Sequence, residues 1–164
     1  MAAKKNREAT DQGPNRTISR NRKAFHDYTI SETVEAGLAL HGSEIKSIRA
    51  GRVNLRDSYV AFRDGEAWLV GTHISGYDEA SYLDHDPLRD RKLLLHRKEI
   101  QRMRAQVEQR GFTVVPTRLY LKNNRAKVEI GLAKGKRSYD KRESLRDRDA
   151  EREMERVIKE RIRE

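Results

Sequence analysis

The chain has 164 residues, with 36 Lys and Arg against 26 Asp and Glu (a formal net charge of +10), 35% hydrophobic residues and no cysteine. That size and apolar content support one small core with solvated ends rather than two cores, and the lack of cysteine excludes disulfides, thiolate metal sites and cysteine nucleophiles. No apolar run approaches the roughly 20 residues that span a bilayer and the opening MAAKKNREATDQGPNR lacks a signal peptide's apolar segment, so a cytoplasmic location is expected, with nucleic acid before membrane as the partner of the positive field.

Residues 1–19 mix Lys, Arg, Asn, Gln, Thr and Gly-Pro without apolar periodicity and are expected to form a flexible basic arm. From Asn21 onward, Phe25, Tyr28, Ile30, Val34, Leu38 and Leu40 predict one long bent strand, with Ala36-Gly37 as its bulge. GSEIKSIRAGR predicts two helical turns capped by Ser43, with Ile45 and Ile48 on one side and a stop at Gly51. In VNLRDSYVAFRDGEAWLVGTHI two apolar, aromatic-rich runs meet at Asp64-Gly65, residues that tolerate the positive φ of a tight hairpin turn. A long polar connection follows, SGYDEASYLDHDPLRDRK, of a length that is more often functional or mobile than merely linking.

HRKEIQRMRAQVEQRG places Ile100, Met103 and Val107 at helical spacing, with Gly111 just past the end, and predicts a helix of about fourteen residues. FTVVPTRLYLKNNRAKVEIGLA predicts two more strands about the turn Asn123-Asn124, with Pro116 at an edge or bulge. The order is strand, short helix, two strands, helix, two strands. It predicts a mainly β fold over residues 20–134, an oligonucleotide-binding-type antiparallel barrel of five strands with two to three helices. An open antiparallel sheet with a helix on one face gives the same order.

From Lys134 nearly every position is charged or polar. Residues 135–164 are expected to be a basic tail, disordered or helical, with Ala150, Met154, Val157, Ile158 and Ile162 as one narrow apolar stripe. Pairs such as Glu155 and Lys159 add a few tenths of a kcal/mol, roughly 0.2–0.5 each, against a costly helix nucleus, so the free tail is expected to fray. Lys136, Arg137, Lys141, Arg142, Arg146, Arg148 and Arg152 are placed to pair with phosphates, which would couple ordering to binding.

His26, His73, His85 and His96, with Asp27, Asp84 and Asp86, are the residues a metal would need. DHDP packs ligands too tightly to surround one ion, however, and no HExxH spacing occurs. There is no GxSxG and no GxxxxGK[ST], so neither catalysis, metal nor cofactor is expected.

Three stretches stand in one order across roughly residues 20–142: NRKAFHDYTISETVEAGLALHGSEIKSIRAGRVNLRDSYV, RDRKLLLHRKEI and LAKGKRSYDKR. Together they resemble the family of SsrA-binding proteins, or small protein B, the bacterial partners of transfer-messenger RNA. The resemblance implies a barrel that grips the tRNA-like domain of transfer-messenger RNA and brings it to ribosomes stalled on messages lacking a stop codon. There the RNA supplies an alanine and a short reading frame that tags the unfinished chain for proteolysis. It also implies a non-enzymatic monomer in a 1:1 RNA complex, with transfer-messenger RNA and the ribosome (small-subunit rRNA, decoding centre and mRNA channel) as partners and no membrane. Gly76 stands where the family commonly carries proline and stiffens that turn less.

By resemblance, Glu35, Leu94 and Lys127 match positions through which the family holds RNA. A carboxylate accepts protons from base amino and imino groups, which a cation cannot do; alternatively Glu35 forms a salt bridge with Lys127 or a barrel arginine. Three consecutive leucines, Leu93 to Leu95, cannot share one strand face, so at least one points outward as a base platform; Leu94 is equally readable as core. Asn21, Arg22, Lys23, Lys46, Arg49 and Arg125 are the expected phosphate contacts near that face. For the tail, the resemblance implies entry into the empty messenger channel and folding there. Tyr139, Asp140, Lys141 and Arg142 would lie at the decoding centre, with residues 144–164, Arg146 among them, lining the channel and Lys134, Lys136 and Arg137 preceding them as further ribosome contacts. A merely solubilising charged end is the alternative. A generic tRNA- or rRNA-binding ribosomal accessory protein and an RNA-processing enzyme are the other function classes.

Overall fold

The computed structural model describes residues 15–77 and 85–162, with residues 138–140 by backbone alone. Strand β1 (Asn15–Arg20) and helix α1 (Arg22–Asp27) precede the long strand β2 (Tyr28–Leu38). Helix α2 (Gly42–Arg49) leads to β3 (Val53–Asn54), the hairpin β4 (Tyr59–Arg63) and β5 (Glu66–Val70), and β6 (His73–Ile74). Strand β7 (Arg91–Leu94) then runs into α3 (Arg97–Arg110), a second hairpin β8 (Thr113–Lys122) and β9 (Arg125–Gly135), and the terminal helix α4 (Ser138–Arg161). Seven strands form one antiparallel sheet in the order β1-β8-β9-β2-β7-β5-β4, and β3 and β6 form a separate ribbon. The sheet curls until β4 lies against β8, which gives the expected oligonucleotide-binding-type barrel with seven strands in place of five.

Both hairpin turns follow their residues. Asp64 and Gly65 take φ of 52° and 74°, and Asn123 and Asn124 take 51° and 62°, the left-handed pair that matches the twist of the flanking strands. Pro116 sits at a register break between Pro116 and Arg118, as a residue without an amide hydrogen requires. Helix α3 has the predicted fourteen residues and ends on Gly111 at φ 67°.

Five local expectations are corrected. Residues 15–20 belong to the sheet, not to a free arm: β1 pairs with the edge of β8 from Asn15 to Arg20, and Ile18 packs on the core. Residues 1–14 lie outside the described residues. The segment 22–27 is helix rather than strand because the Asn21 side chain accepts the Ala24 amide at 3.2 Å and nucleates a turn. The bulge of β2 falls between Ile30 and Glu32, not at Ala36-Gly37. Helix α2 is capped from His41, whose amide donates to Glu44 Oε2 at 2.8 Å, and not by Ser43. RKLL, at the end of the polar connection, is the strand β7, joined to β2 and β5; residues 78–84, with Asp84, lie outside the described part.

One apolar cluster fills the barrel, from Ala36, Leu69, Leu93, Val128 and Ile130 to Ile100 and Met103 of α3, and a second lies under α2 around Ile48, Leu55 and Leu119. Between α2 and the connection lies an ion cluster in which Glu44 and Arg91 are fully buried and Arg89 is partly exposed. Glu44 Oε1 accepts from Arg91 Nε at 3.0 Å and Arg89 Nε at 3.1 Å, and Glu44 Oε2 accepts from Arg89 Nη2 at 2.6 Å. Arg91 also donates to the carbonyls of Thr72 at 2.6 Å and Pro87 at 3.1 Å. Burial pushes the Glu44 carboxyl upward, but the bonds from Arg89, the His41 amide and Arg91 more than reverse this and hold it at about 2, against an ordinary 4.5. A depressed carboxylate stabilises the fold above its unfolded pKa, and the contribution is lost as pH falls from 4.5 toward 2. At about 1.4 kcal/mol per decade this amounts to roughly 3 kcal/mol. Acid titration of stability is expected to show that loss in the wild type and a shallower one in Glu44→Gln; parallel curves would contradict the assignment.

No core covers α4. Met154, Val157, Ile158 and the following Ile162 are exposed, and the tail that was expected to fray when free stands as one continuous helix of 24 residues, with Lys159 Nζ 3.8 Å from Glu155. It is tied to the body at its start, where the Lys136 amide donates to Asp27 O at 2.9 Å and Lys141 Nζ lies 3.6 Å from Asp27 Oδ1. Among the described residues no helix is long and apolar enough to cross a membrane.

Candidate nucleic-acid interface

Strand pairing places the outward residues of five strands in rows. Thr17 faces Tyr120, Tyr120 faces Lys127, Lys127 faces Gly37 and Gly37 faces Leu94, one row from β1 through β8, β9 and β2 to β7. On one side of it run Asn15, Lys122 and Arg125; on the other, Arg20, Arg118, Glu129 and Glu35. Because side chains alternate along a strand, the core residues Leu119, Leu121 and Val128 point inward and these point out. Helix α1 covers the remaining part of the outer face, where Ala24 packs with Val115 and Ala133. The exposed part is thus a twisted platform of cations, two carboxylates and a leucine, with the Tyr120 ring buried against Arg118, and these are groups that single-stranded or folded RNA is read with.

Of the three leucines, Leu93 is buried, Leu95 is packed against the core, and Leu94 is the outward one at 55% exposure. It leans over Gly37, where an added Cβ would stand 3.1 Å from Leu94 Cβ, so the glycine lets the leucine lie flat on the sheet. Glu35, Leu94 and Lys127 line one cleft of about 810 Å³, together with Lys92, His96 and Arg97. Glu35 is paired neither with Lys127 nor with an arginine: the Tyr120 hydroxyl donates to its Oε2, and Lys122 Nζ lies 3.3 Å from its Oε1. The tyrosine bond first, with Lys122 and Lys127 adding to it, holds the Glu35 carboxyl below its usual range. Arg118 stacks on the Tyr120 ring at 4.6 Å and is held by Glu129 at 3.3 Å.

The structure divides the remaining predicted contacts. Arg125 is exposed two residues before Lys127 on the same strand face, and Arg49 reaches the adjoining turn through Asn124 O at 3.4 Å. Lys46 lies over the Tyr77 ring at 5.4 Å. Arg22 and Lys23 are elsewhere, on α1, where Lys23 pairs with Asp57 beside a separate groove lined by Asp27 and Tyr59. Asn21 is corrected. It is 5% exposed, and its amide donates to Leu55 O at 3.1 Å and Pro116 O at 2.9 Å, so it ties three segments together and presents nothing to a phosphate. Among tail residues, Lys134 lies 6.0 Å from the Phe112 ring, Lys136 Nζ donates to Phe25 O at 3.1 Å, and Arg137, Arg142 and Arg146 are exposed. Tyr139 and Asp140 are described by backbone alone. Among the described residues no three His, Asp or Glu side chains gather as a metal site.

Sequence reasoning missed Arg118, Tyr120 and Lys122. Their two-residue spacing, matched by Arg125, Lys127 and Glu129 across the turn, was the available signal, since it puts all six on one face.

A curled antiparallel barrel whose open face presents cations around a carboxylate and a flat leucine defines an RNA-binding β-barrel protein. The family model described as SmpB protein matches residues 18–160. The SsrA-binding protein of Roseiflexus sp. (strain RS-1) is 60% identical over 149 residues, 90% of this chain and 94% of that protein. That of Shouchella clausii (strain KSM-K16) is 55% identical over 148 residues, 90% and 95%. A solved chain described as "tmRNA-SmpB: a journey to the center of the bacterial ribosome" is 46% identical, with a TM-score of 0.63 over 82% of this chain and 96% of that one. The chain belongs to the SmpB protein family.

Proposed function

We infer that the chain binds transfer-messenger RNA and delivers it to stalled ribosomes for trans-translation. SmpB proteins are non-catalytic RNA-binding adaptors. The observation that carries the reading for this molecule is the convergence of Glu35, Leu94 and Lys127 on one cleft of the outer sheet face. On this reading Leu94 takes the face of a splayed base, Glu35 accepts from base-edge donors, and Lys127, Arg125, Arg49 and Lys46 neutralise phosphates. The tail, residues 135–164, works separately. Lys134, Lys136, Arg137, Tyr139, Asp140, Lys141, Arg142 and Arg146 meet small-subunit rRNA from the decoding centre into the empty messenger channel. The protein acts in the cytoplasm as a monomer with one RNA.

Competition between transfer-messenger RNA and an ordinary tRNA at fixed salt tests the reading. Preference for the former is expected, and equal affinity would make the protein a generic tRNA- or rRNA-binding accessory. Lys127→Ala is expected to reduce the slope of log affinity against log salt by about 0.9, one phosphate's worth, whereas Glu35→Ala weakens binding without reducing it. Unchanged affinity in both variants would move the site elsewhere.

A further inference from the structure

Glu35 stands between two hollows. One is the cleft with Leu94 and Lys127; the other, of about 260 Å³, is lined by Glu35, Asn15, Thr17, Arg118, Tyr120 and Lys122. A glutamate at the surface of a strand can turn its carboxylate toward either, so what holds its oxygens decides which groups it can receive. Tyr120 is opposite Lys127 on the neighbouring strand, and its hydroxyl donates to Glu35 Oε2. The ring is itself immobilised. It is 7% exposed, the Arg118 guanidinium lies 4.6 Å from its centroid, Arg118 is held by Glu129 Oε2 at 3.3 Å, and Glu129 Oε1 accepts the Thr117 hydroxyl at 2.7 Å. Thr117 is the residue skipped at the β8 bulge, so the chain of contacts is anchored where the backbone itself is fixed.

We propose that Tyr120 is a positioning residue for RNA recognition: its hydroxyl, fixed through Arg118, Glu129 and Thr117, holds the Glu35 carboxylate on the β8 side of the cleft, beside Lys122, with acceptor capacity left for base amino and imino groups. This rests on the reading of the outer face as the RNA grip. A carboxylate already oriented loses less rotamer freedom when the RNA arrives. The groups that face Glu35 are Tyr120, Lys122 and Arg118 of β8, Lys127 and Glu129 of β9, and, across the cleft, Lys92, Glu66, Asp64, His96, Arg97 and Glu99. Tyr120 is the largest of the influences that keep its carboxyl below 4.5. RNA binding through the ionised form is therefore present above that depressed pKa and lost as pH falls through it. Without the tyrosine hydroxyl the loss begins at higher pH.

The test uses the full chain as wild type, Glu35→Gln, Tyr120→Phe and the double variant, with transfer-messenger RNA affinity measured across pH at constant ionic strength. The Glu35 side-chain carboxyl is followed in parallel by NMR without RNA. Tyr120→Phe keeps the ring and the Arg118 stack, and thermal unfolding confirms that it folds. The expected results are roughly tenfold weaker binding at neutral pH in Glu35→Gln and severalfold weaker in Tyr120→Phe, with a carboxyl titration moved to higher pH in the latter. The double variant is expected to bind no worse than Glu35→Gln alone. An unmoved titration and unchanged affinity in Tyr120→Phe, or losses that add in the double variant, would overturn the assignment. If Glu35→Gln bound as tightly as wild type at every pH, the reading of Glu35 as an RNA contact would fall and this inference with it. A weakened Glu35→Gln beside an unaltered Tyr120→Phe removes this inference alone.

Discussion

Arg91→Ala is expected to lower the unfolding free energy by about 3–5 kcal/mol, measured by urea denaturation, the largest loss of any single substitution outside the apolar core. Arg91 and Glu44 are both fully buried, and the arginine donates to Glu44, Thr72 O and Pro87 O at once. Removing the guanidinium leaves Glu44 with Arg89 as its remaining guanidinium partner and takes the Arg91 donor from each of those carbonyls, which carries the desolvation cost of each acceptor. Most single domains have only about 5–15 kcal/mol in total, so a protein of this size is left marginal. Adding Glu44→Leu to Arg91→Ala removes the buried carboxylate that has lost one of its two guanidinium partners, and recovers part of the loss. A loss under about 1 kcal/mol in the single variant would mean that water replaces the guanidinium and that the cluster does not brace α2 against the connection.

Cutting the chain after Gly135 is expected to abolish tagging of stalled chains while leaving the body folded. The buried clusters end at Ala133, and the contacts between described residues across the cut are few and polar: the Lys136 amide and side chain on Asp27 O and Phe25 O, and Lys141 with Asp27. Residues 136–164 carry 11 Lys and Arg against 9 Asp and Glu, so the cut removes +2 of the +10 and leaves most of the field that attracts RNA. What it does remove is a helix with basic and apolar sides, on which Leu145, Met154, Val157 and Ile158 are all exposed. Such a helix is marginal alone and gains its stability from whatever surrounds it, here the proposed messenger channel. An unchanged urea midpoint with tagging reduced to background is the expected pair of results.

The parts of this fold that were legible in the sequence are those where local chemistry decides. Asp64-Gly65 and Asn123-Asn124 have to form tight turns, Gly111 ends α3, and the leucine run has to turn one side chain outward. Where tertiary pairing decides, the reading failed. β1 has no apolar alternation to announce it and forms because β8 offers an unpaired edge. RKLL looks like the end of a loop until β2 and β5 flank it. Asn21 and Arg91 illustrate the same limit for the site. Each stands in a run of cations and was read, or would be read, as a surface group, but each is buried, one as a helix cap and the other in an ion cluster. Glu35, Leu94 and Lys127, far apart in the chain, came from the family resemblance; the strand register then explains why they meet, since Lys127 and Leu94 flank Gly37, two residues from Glu35.

The central claim is that the sheet face holds the RNA without the tail. Its most direct test is the dissociation constant of transfer-messenger RNA for residues 1–135 beside that for the full chain, in one buffer at one salt concentration. Agreement within about twofold is predicted, as for energetically independent sites. A loss of tenfold or more on removal of the tail would contradict the division, because it would place part of the RNA grip in α4.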